Sequence, residues 1–299
     1  MGDYAFYGCS KLTEAAFQET VDQIGAGAFA ECTSLEEFAV PEGIEYMDNI
    51  LEGCSALKKI TLPSTMKGFC DDEGQDVIPF YGVPSLQQIE VSADNPYLKM
   101  EGDALYTKGG KVLLYYCINA TNEVYHVATG TAMIGAGAFC RMYDDVKVSQ
   151  VSCLREVSLP AGVQEIRRSA FEGCDSLQKI NFPDSLLSIR VDAFWGCDQL
   201  ENIVMGENCG LQEIEGAAFA ECSSLTSITL PQSVRIIEDS TFSGCGQLET
   251  ICYLGTTQQW VEMCKANKLD SYDWEMTVIS KDGLVTEEDY DDYDEGEDD

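Results

Sequence analysis

Ile166-Arg-Arg-Ser-Ala-Phe-Glu-Gly-Cys-Asp-Ser-Leu-Gln-Lys-Ile-Asn-Phe-Pro-Asp-Ser-Leu-Leu-Ser-Ile189 is one period of a repeating chain. Its apolar residues stand at fixed places with polar residues between them, and the same places recur. Cys174, Cys197, Cys222 and Cys245 are separated by 23, 25 and 23 residues; Phe171, Phe194, Phe219 and Phe242 keep that step, as do Ile166, Ile189, Ile214 and Ile237. Three series in register define a repeated structural unit. A unit this short cannot bury its own core. Stacked on its neighbours, each Phe, Cys, Leu and Ile falls above its counterpart, and the apolar column becomes continuous.

The frame extends toward the N-terminus with looser spelling: Ala5-Phe6 with Cys9 and Leu12, Ala28-Phe29 with Cys32 and Leu35, Ile50-Leu51 with Cys54 and Leu57. In the unit from Phe80 to Val91 the cysteine is replaced by Val83. Exchange of one small apolar group for another predicts a packing role. Between Leu177 and Pro183 the sequence alternates polar and apolar, the period of a strand, and the proline stops it from extending. Parallel strands of successive units stack about 4.8 Å apart, so eight or nine units predict a sheet roughly 40 Å long.

Fourteen cysteines raise the question of disulfides or zinc, but no pair is spaced C-x-x-C, and His126 is the single imidazole. The expectation is a ladder of buried free thiols acting as small hydrophobes, without cofactor or metal. Free thiols also tilt the setting toward a reducing or anaerobic one.

With these residues in hand, the chain resembles the BspA-like (bacterial surface protein A type) class of bacterial leucine-rich repeats, whose units of about 23 residues follow I-x-x-x-A-F-x-x-C-x-x-L-x-x-I-x-L-P. Ile166 to Ile189 and Ile214 to Ile237 match that pattern closely. Asp94-Asn95-Pro96-Tyr97, Asp103 to Lys108 and Val112 to Tyr116 resemble the hairpin module such proteins insert, and Gly109-Gly110 suits a tight primed turn. Tyr253 to Thr256, Gln259-Trp260 and Val278 to Gly283 resemble the family's capping unit. The resemblance implies a leucine-rich repeat solenoid, mostly β within an α/β class label. A curved parallel sheet lies on its concave face, with short strands, turns and 3-10 segments on the other. The expected organisation is a solenoid over 1–285 and an acidic disordered tail over 286–299. The solenoid divides into N-terminal repeats at 2–92, an inserted hairpin module at 93–133, C-terminal repeats at 134–252 and a cap at 253–285. The resemblance also implies a binding role for a cell-surface or secreted protein, adhesin-like, whose partner is a host or neighbouring-cell protein.

Composition bounds the alternatives. The 299 residues carry a net charge of −34, of which ten negative charges lie between Glu287 and Asp299. So acidic a surface repels phosphate backbones and anionic membranes, leaving a cationic partner or plain solubility as readings. No stretch is long and apolar enough to span a bilayer, and Met1-Gly2-Asp3-Tyr4 lacks the basic and apolar regions of a secretory signal. The expected compartment is therefore open between a cytoplasmic chain and a trimmed piece of an exported one. A monomer is expected.

No catalytic constellation stands out, so the chain is expected not to be an enzyme. His126 sits in the strand-like Tyr125-His126-Val127, and a triad would need a group to orient its ring. Gly25-Ala26-Gly27 and Gly135-Ala136-Gly137 mimic part of a dinucleotide fingerprint but lead into Ala-Phe, and are read as turns. Carboxylates are too abundant for any pair to single itself out. The tail from Asp289 to Asp299 does not fit a calcium loop, since Tyr293 and Glu295 would occupy ligand positions.

Function is therefore expected on the strands. Where Ile180 and Phe182 point inward, Lys179 and Asn181 point to solvent. The same alternation selects Glu37 (with Ala39), Lys59 and Thr61, Gln88 and Glu90, Glu156 and Ser158, Asn202 (with Val204), Ser227 and Thr229, and Thr250 (with Cys252). Solenoids contact partners with such sheets. Trp195, beside Phe194, is the expected anchor, while Trp260 and Trp274 are expected to fill the cap. Two further readings stay open: an intracellular interaction scaffold or inhibitor, and carbohydrate binding on the small, uncharged C-terminal strands.

Overall fold

A computed structural model describes residues 1–17, 21–71, 74–117, 122–140, 142–143, 146–147, 153–267, 269 and 276–291. The chain is a mostly β parallel solenoid of about nine turns with few helices. Each turn contributes one strand to a long-strand face. That face comprises an N-terminal block (Glu37–Ala39, Lys59–Leu62, Gln88–Val91), a middle block (Val124–His126, Glu156–Ser158, Lys179–Ile180) and a C-terminal block (Asn202–Val204, Ser227–Leu230, Thr250–Tyr253, Thr277–Ser280 and Gly283–Leu284). Every pairing is parallel except the last, where Thr277–Ser280 and Gly283–Leu284 run antiparallel.

The opposite side carries a second ladder rather than 3-10 segments. Two-residue strands pair so that Ile134, Ile166, Ile189, Ile214 and Ile237 stack in register. The Ala-Phe segment between the ladders is built of single turns, and its amides show why. Phe171 N donates to Ala193 O of the next coil at 2.7 Å, Glu172 N turns back to Ser169 O, Gly173 N reaches Trp195 O, and Cys174 N turns back to Phe171 O. Every second amide is committed to the neighbouring coil, so a local 3-10 run has no donors left to continue it.

In the coils of Phe6, Phe29, Phe171, Phe194, Phe219 and Phe242 such a path places left-handed backbone twice, two residues before and two after the Phe. Glycine meets the requirement at Gly27, Gly137 and Gly173, but Ser169, Asp192, Ala217 and Glu221 adopt φ between 54° and 58° without it. At Gly137 the choice is doubly fixed, because an added Cβ would also overlap the side chain of Ile78.

The phenylalanines form the spine. Phe139, Phe171, Phe194, Phe219 and Phe242 stack with centroids 4.7, 5.0, 5.1 and 6.1 Å apart and planes within 10°. Beside them runs a row of thiols that do more than fill space. Cys32, Cys54, Cys174, Cys197, Cys222 and Cys245 each direct Sγ to the carbonyl of the preceding unit's phenylalanine or its equivalent at 3.0–3.3 Å. Cysteine suits the place because it combines small apolar volume with one weak donor.

The hairpin Ala104–Thr107 with Val112–Tyr116 stands as a wall between two cores. Leu105, Tyr115 and Cys117 face the N-terminal core, while Ala104, Tyr106, Leu113 and Tyr116 face the C-terminal one. Strands buried on both faces read as unbroken apolar runs, which is how Val112 to Cys117 is spelled. The two-residue primed turn expected at Gly109-Gly110 does not form. Lys108 to Lys111 make a four-residue connection in which Gly110 alone has positive φ, next to a register shift at Leu105/Tyr106.

At the C-terminal end, helix α1 (Thr257–Ala266) covers the last coil, capped by a reciprocal Thr256–Gln259 box and anchored by the fully buried Trp260. The boundary expected at 285/286 needs correction. A short helix α2 (Glu287–Asp291) continues the cap, because Tyr290 packs on the core and its hydroxyl accepts from Trp260 Nε1 at 3.0 Å. One aromatic ring in an acidic run is enough to dock that turn. The rest of the tail and Trp274 lie outside the described residues.

A charge cluster on the second ladder escaped the sequence reading. Arg190 contacts Glu165 at 2.8 Å, Glu213 at 3.4 Å and Glu215 at 2.5 Å, and Arg167 pairs with Asp76 across the hairpin and with Glu165. Hydrogen bonds to Glu215 and Glu165 hold the Arg190 guanidinium above its ordinary value, so it stays charged at every practical pH. Arg190→Gln leaves three carboxylates facing one another and is expected to cost about 1–2 kcal/mol at neutral pH. Urea titrations of both proteins at pH 7 check this, and equal midpoints would contradict the pairing.

Candidate functional site: the long-strand face

Strand pairing arranges the outward side chains in rows that cross the coils. In the N-terminal block one row is Glu37, Lys59 and Gln88 and the next is Ala39, Thr61 and Glu90. Its charges are largely answered internally: Lys59 pairs with Glu90 at 3.0 Å, and Gln88 Nε2 donates to the other Glu90 oxygen at 2.8 Å. In the middle block the rows are Val124, Glu156 and Lys179, and then His126 with Ser158. Lys179 is exposed and makes no ion pair among the described residues.

Asn181 is exposed as a residue, yet its carboxamide works inside the ladder. Its Oδ1 accepts from Leu159 N at 2.7 Å and its Nδ2 donates to Leu159 O at 2.9 Å. The side chain thus replaces the peptide group that strand pairing would supply. Among the described residues the strand pairing between this block and the next is an isolated bridge between Phe182 and Met205.

The C-terminal block is different in kind. One row is Asn202, Ser227, Thr250 and Thr277, tied by Ser227 Oγ donating to Asn202 Oδ1 at 2.8 Å. The other is Val204, Thr229, Cys252 and Ile279, continued by Leu284 across the antiparallel pair. The structure therefore brings all thirteen expected residues onto one face, in three blocks. It does not bring Trp195 to them: that half-buried ring lies on the Ala-Phe wall of its coil, away from the strands.

Five positions were missed on this face: Val124, His126, Thr277, Ile279 and Leu284. Val124 to His126 and Thr277 to Ser280 both alternate as strands do. They fall in the expected hairpin module and cap, outside the repeat frame that selects the outward residues. His126 projects from the sheet opposite Ser158 and makes no hydrogen bond to a carboxylate among the described residues, so nothing orients it as a triad base. Among the described residues no three His, Cys, Asp or Glu side chains are placed to hold a metal ion, and no helix is long and apolar enough to cross a membrane.

Two of the buried thiols, Cys54 and Cys264, are chemically quiet. Burial pushes the Cys54 and Cys264 thiols up to about 12, which keeps them protonated where free thiols ionise. Because the folded values are raised, their contribution is complete below the ordinary thiol value and is lost as pH rises from about 9 toward about 12. Thermal melting points are expected to fall across that window, and unchanged melting between pH 8 and pH 11 would contradict the buried ladder.

An uncapped sheet face on a stacked-coil scaffold defines the class, a leucine-rich repeat solenoid. The chain matches the BspA type leucine rich repeat region in six copies, over residues 1–99 and 148–268, and it belongs to that family. A comparison with curated proteins finds no match. Among solved structures the chain is similar to a leucine rich cell surface protein of Faecalibacterium prausnitzii A2-165, with 26% identity and a TM-score of 0.67 over 88% of this chain and 71% of that one. It is also similar to the pneumococcal vaccine antigen PcpA, with 18% identity and a TM-score of 0.66 over 88% of this chain and 66% of the other. A leucine-rich repeat protein of Eubacterium ventriosum gives 22% identity and a TM-score of 0.59, covering 84% and 75%. The last two likenesses concern the fold alone.

Proposed function

We propose that this chain is a non-catalytic protein-binding module of the cell-surface, adhesin-like kind, which holds a protein partner on its long-strand face. The observation that carries this reading is the contrast between the two sides of each strand. Inward residues repeat as Ile, Leu and Phe, whereas outward residues change from coil to coil and are left uncovered. Packing dictates the first set, whereas core packing does not fix the second, and Asn181 alone among the thirteen is bonded to the backbone of the ladder. The likeness to a bacterial cell surface protein supports the location. The fourteen free thiols favour a second reading, an interaction scaffold or inhibitor in a reducing compartment.

Reversing Lys59→Glu together with Lys179→Glu tests the face. Stability is expected to fall by no more than about 1 kcal/mol, since Lys59 loses one exposed pair with Glu90. Partner recovery in quantitative affinity capture is expected to drop severalfold. Recovery of the same proteins in equal amounts by both chains sinks the assignment.

A further inference from the structure

We propose that the C-terminal block of this face docks an extended, mainly apolar segment flanked by lysine or arginine and contributed by a protein partner. This deepens the protein-binding reading above and rests on it. The first observation is the row Val204, Thr229, Cys252, Ile279 and Leu284, one residue from each of five adjacent strands. Val204 is 67% exposed, Leu284 60% and Ile279 43%. Scattered apolar residues are ordinary on a surface, but here three exposed large ones share one row, bridged by the half-buried Thr229 and Cys252, and form a stripe suited to contact. Five strands at about 4.8 Å give a stripe about 19 Å long, the span of some six extended residues.

The surroundings select the occupant. Glu201 and Glu249 stand exposed where strands enter the sheet, and Glu207 where one leaves it. Beyond Glu207 a depression of about 280 Å³, shared by Gln232, Cys252, Leu254, Ile279 and Lys281, has room for one larger side chain. Three carboxylates, Glu201, Glu207 and Glu249, against the single cation Lys281 leave the rim net acidic, and such a rim around an apolar floor complements a segment with cationic ends and an uncharged middle. A second copy of this chain would bring the same rim and the same charge of −34, and would be repelled. A glycan would find hydroxyls in the neighbouring row of Ser227, Thr250 and Thr277, but would leave Val204, Ile279 and Leu284 without apolar partners.

The probe is a fluorescein-labelled peptide, Lys-Arg-Val-Thr-Val-Thr-Val-Leu-Lys-Arg, set against one with glutamates in place of its four basic residues. Anisotropy with the full chain is expected to show saturable binding of the cationic peptide alone, weakened by added salt. Val204→Glu combined with Ile279→Glu changes exposed positions and should retain the wild-type circular dichroism and melting point. It is expected to weaken that binding by about tenfold or more. Cys252 supplies the location: its alkylation, followed by peptide mass mapping, should slow severalfold when the peptide is bound. Equal binding of both peptides, binding indifferent to the double substitution, or unchanged alkylation of Cys252 overturns the proposal. So does a wild-type dimer in sedimentation that the double variant dissolves. If the peptide fails while Lys59→Glu with Lys179→Glu still abolishes partner capture, the face binds protein and this occupant alone is wrong.

Discussion

Cys197→Asp is expected to unfold the C-terminal half of the solenoid at neutral pH, while Cys197→Val leaves it folded. Cys197 is fully buried, and its Sγ donates to the Phe171 carbonyl at 3.3 Å. A carboxylate there would face that carbonyl dipole in an apolar column without a cation, and an uncompensated buried charge costs several kcal/mol. Valine forfeits the weak thiol donor, a loss of about 1 kcal/mol or less, and Val83 already occupies the equivalent place in another coil. The aspartate would carry a value raised above its unfolded one. Its stability is then best below the unfolded carboxyl value and worsens as pH rises, so partial refolding is expected near pH 3. Circular dichroism melts of both variants at pH 7 and pH 3 decide the matter. A folded Cys197→Asp at pH 7 would mean that the thiol row is open to water.

That packing rule was legible because a solenoid repeats its constraints. The positions of Phe171, Phe194 and Phe219 were readable from spacing alone, since each ring has the one above and the one below as its environment. The outward set was readable for the same reason, as strand alternation fixes which residue points where. What could not be read was whatever depends on a neighbour distant in sequence. Asn181 looks like any surface amide until its carboxamide is seen bonding to Leu159 in the previous coil. Arg190 reveals its role only when Glu165 from the coil before it and Glu213 and Glu215 from the coil after it are brought together. Trp195, read as an anchor beside Phe194, lies half-buried on the Ala-Phe wall of its coil, a place that its spacing from Phe194 already fixes.

The hairpin shows the same limit at larger scale. Its strands were recognisable, yet nothing in their spelling says that successive residues serve two separate cores. That division follows from where the hairpin is inserted. Leu113 pairs with Ile134 and so continues the second ladder, while Tyr115 packs its ring against Phe80 of the preceding coil at 5.1 Å. The wall makes the two halves meet through the hairpin and through the clasp of Asp76 and Ile78 on Arg167 and Gly137.

Phe194→Ala tests how far damage travels along such a structure. Phe194 is fully buried, with Phe171 stacked 5.0 Å on one side and Phe219 5.1 Å on the other, and its carbonyl receives the Cys222 thiol. Removing the ring is expected to cost about 3–5 kcal/mol, the range for large-to-small changes in a core that cannot collapse. In a globular domain that cost would be shared by the whole fold. Here each coil touches only its neighbours, so the loss falls on two interfaces and weakens the coupling between the coils before and after it. The seam at Asn181, where one isolated bridge joins the middle and C-terminal blocks, lies between the Phe171 and Phe194 coils, at one of those two interfaces. Hydrogen exchange should therefore accelerate most in Lys179–Ile180, Asn202–Val204 and Ser227–Leu230, and little in Lys59–Leu62 behind the hairpin wall. Urea unfolding should broaden or split into two steps. A single sharp transition shifted as a whole, with protection lost evenly from Glu37 to Tyr253, would show that the solenoid behaves as one cooperative block.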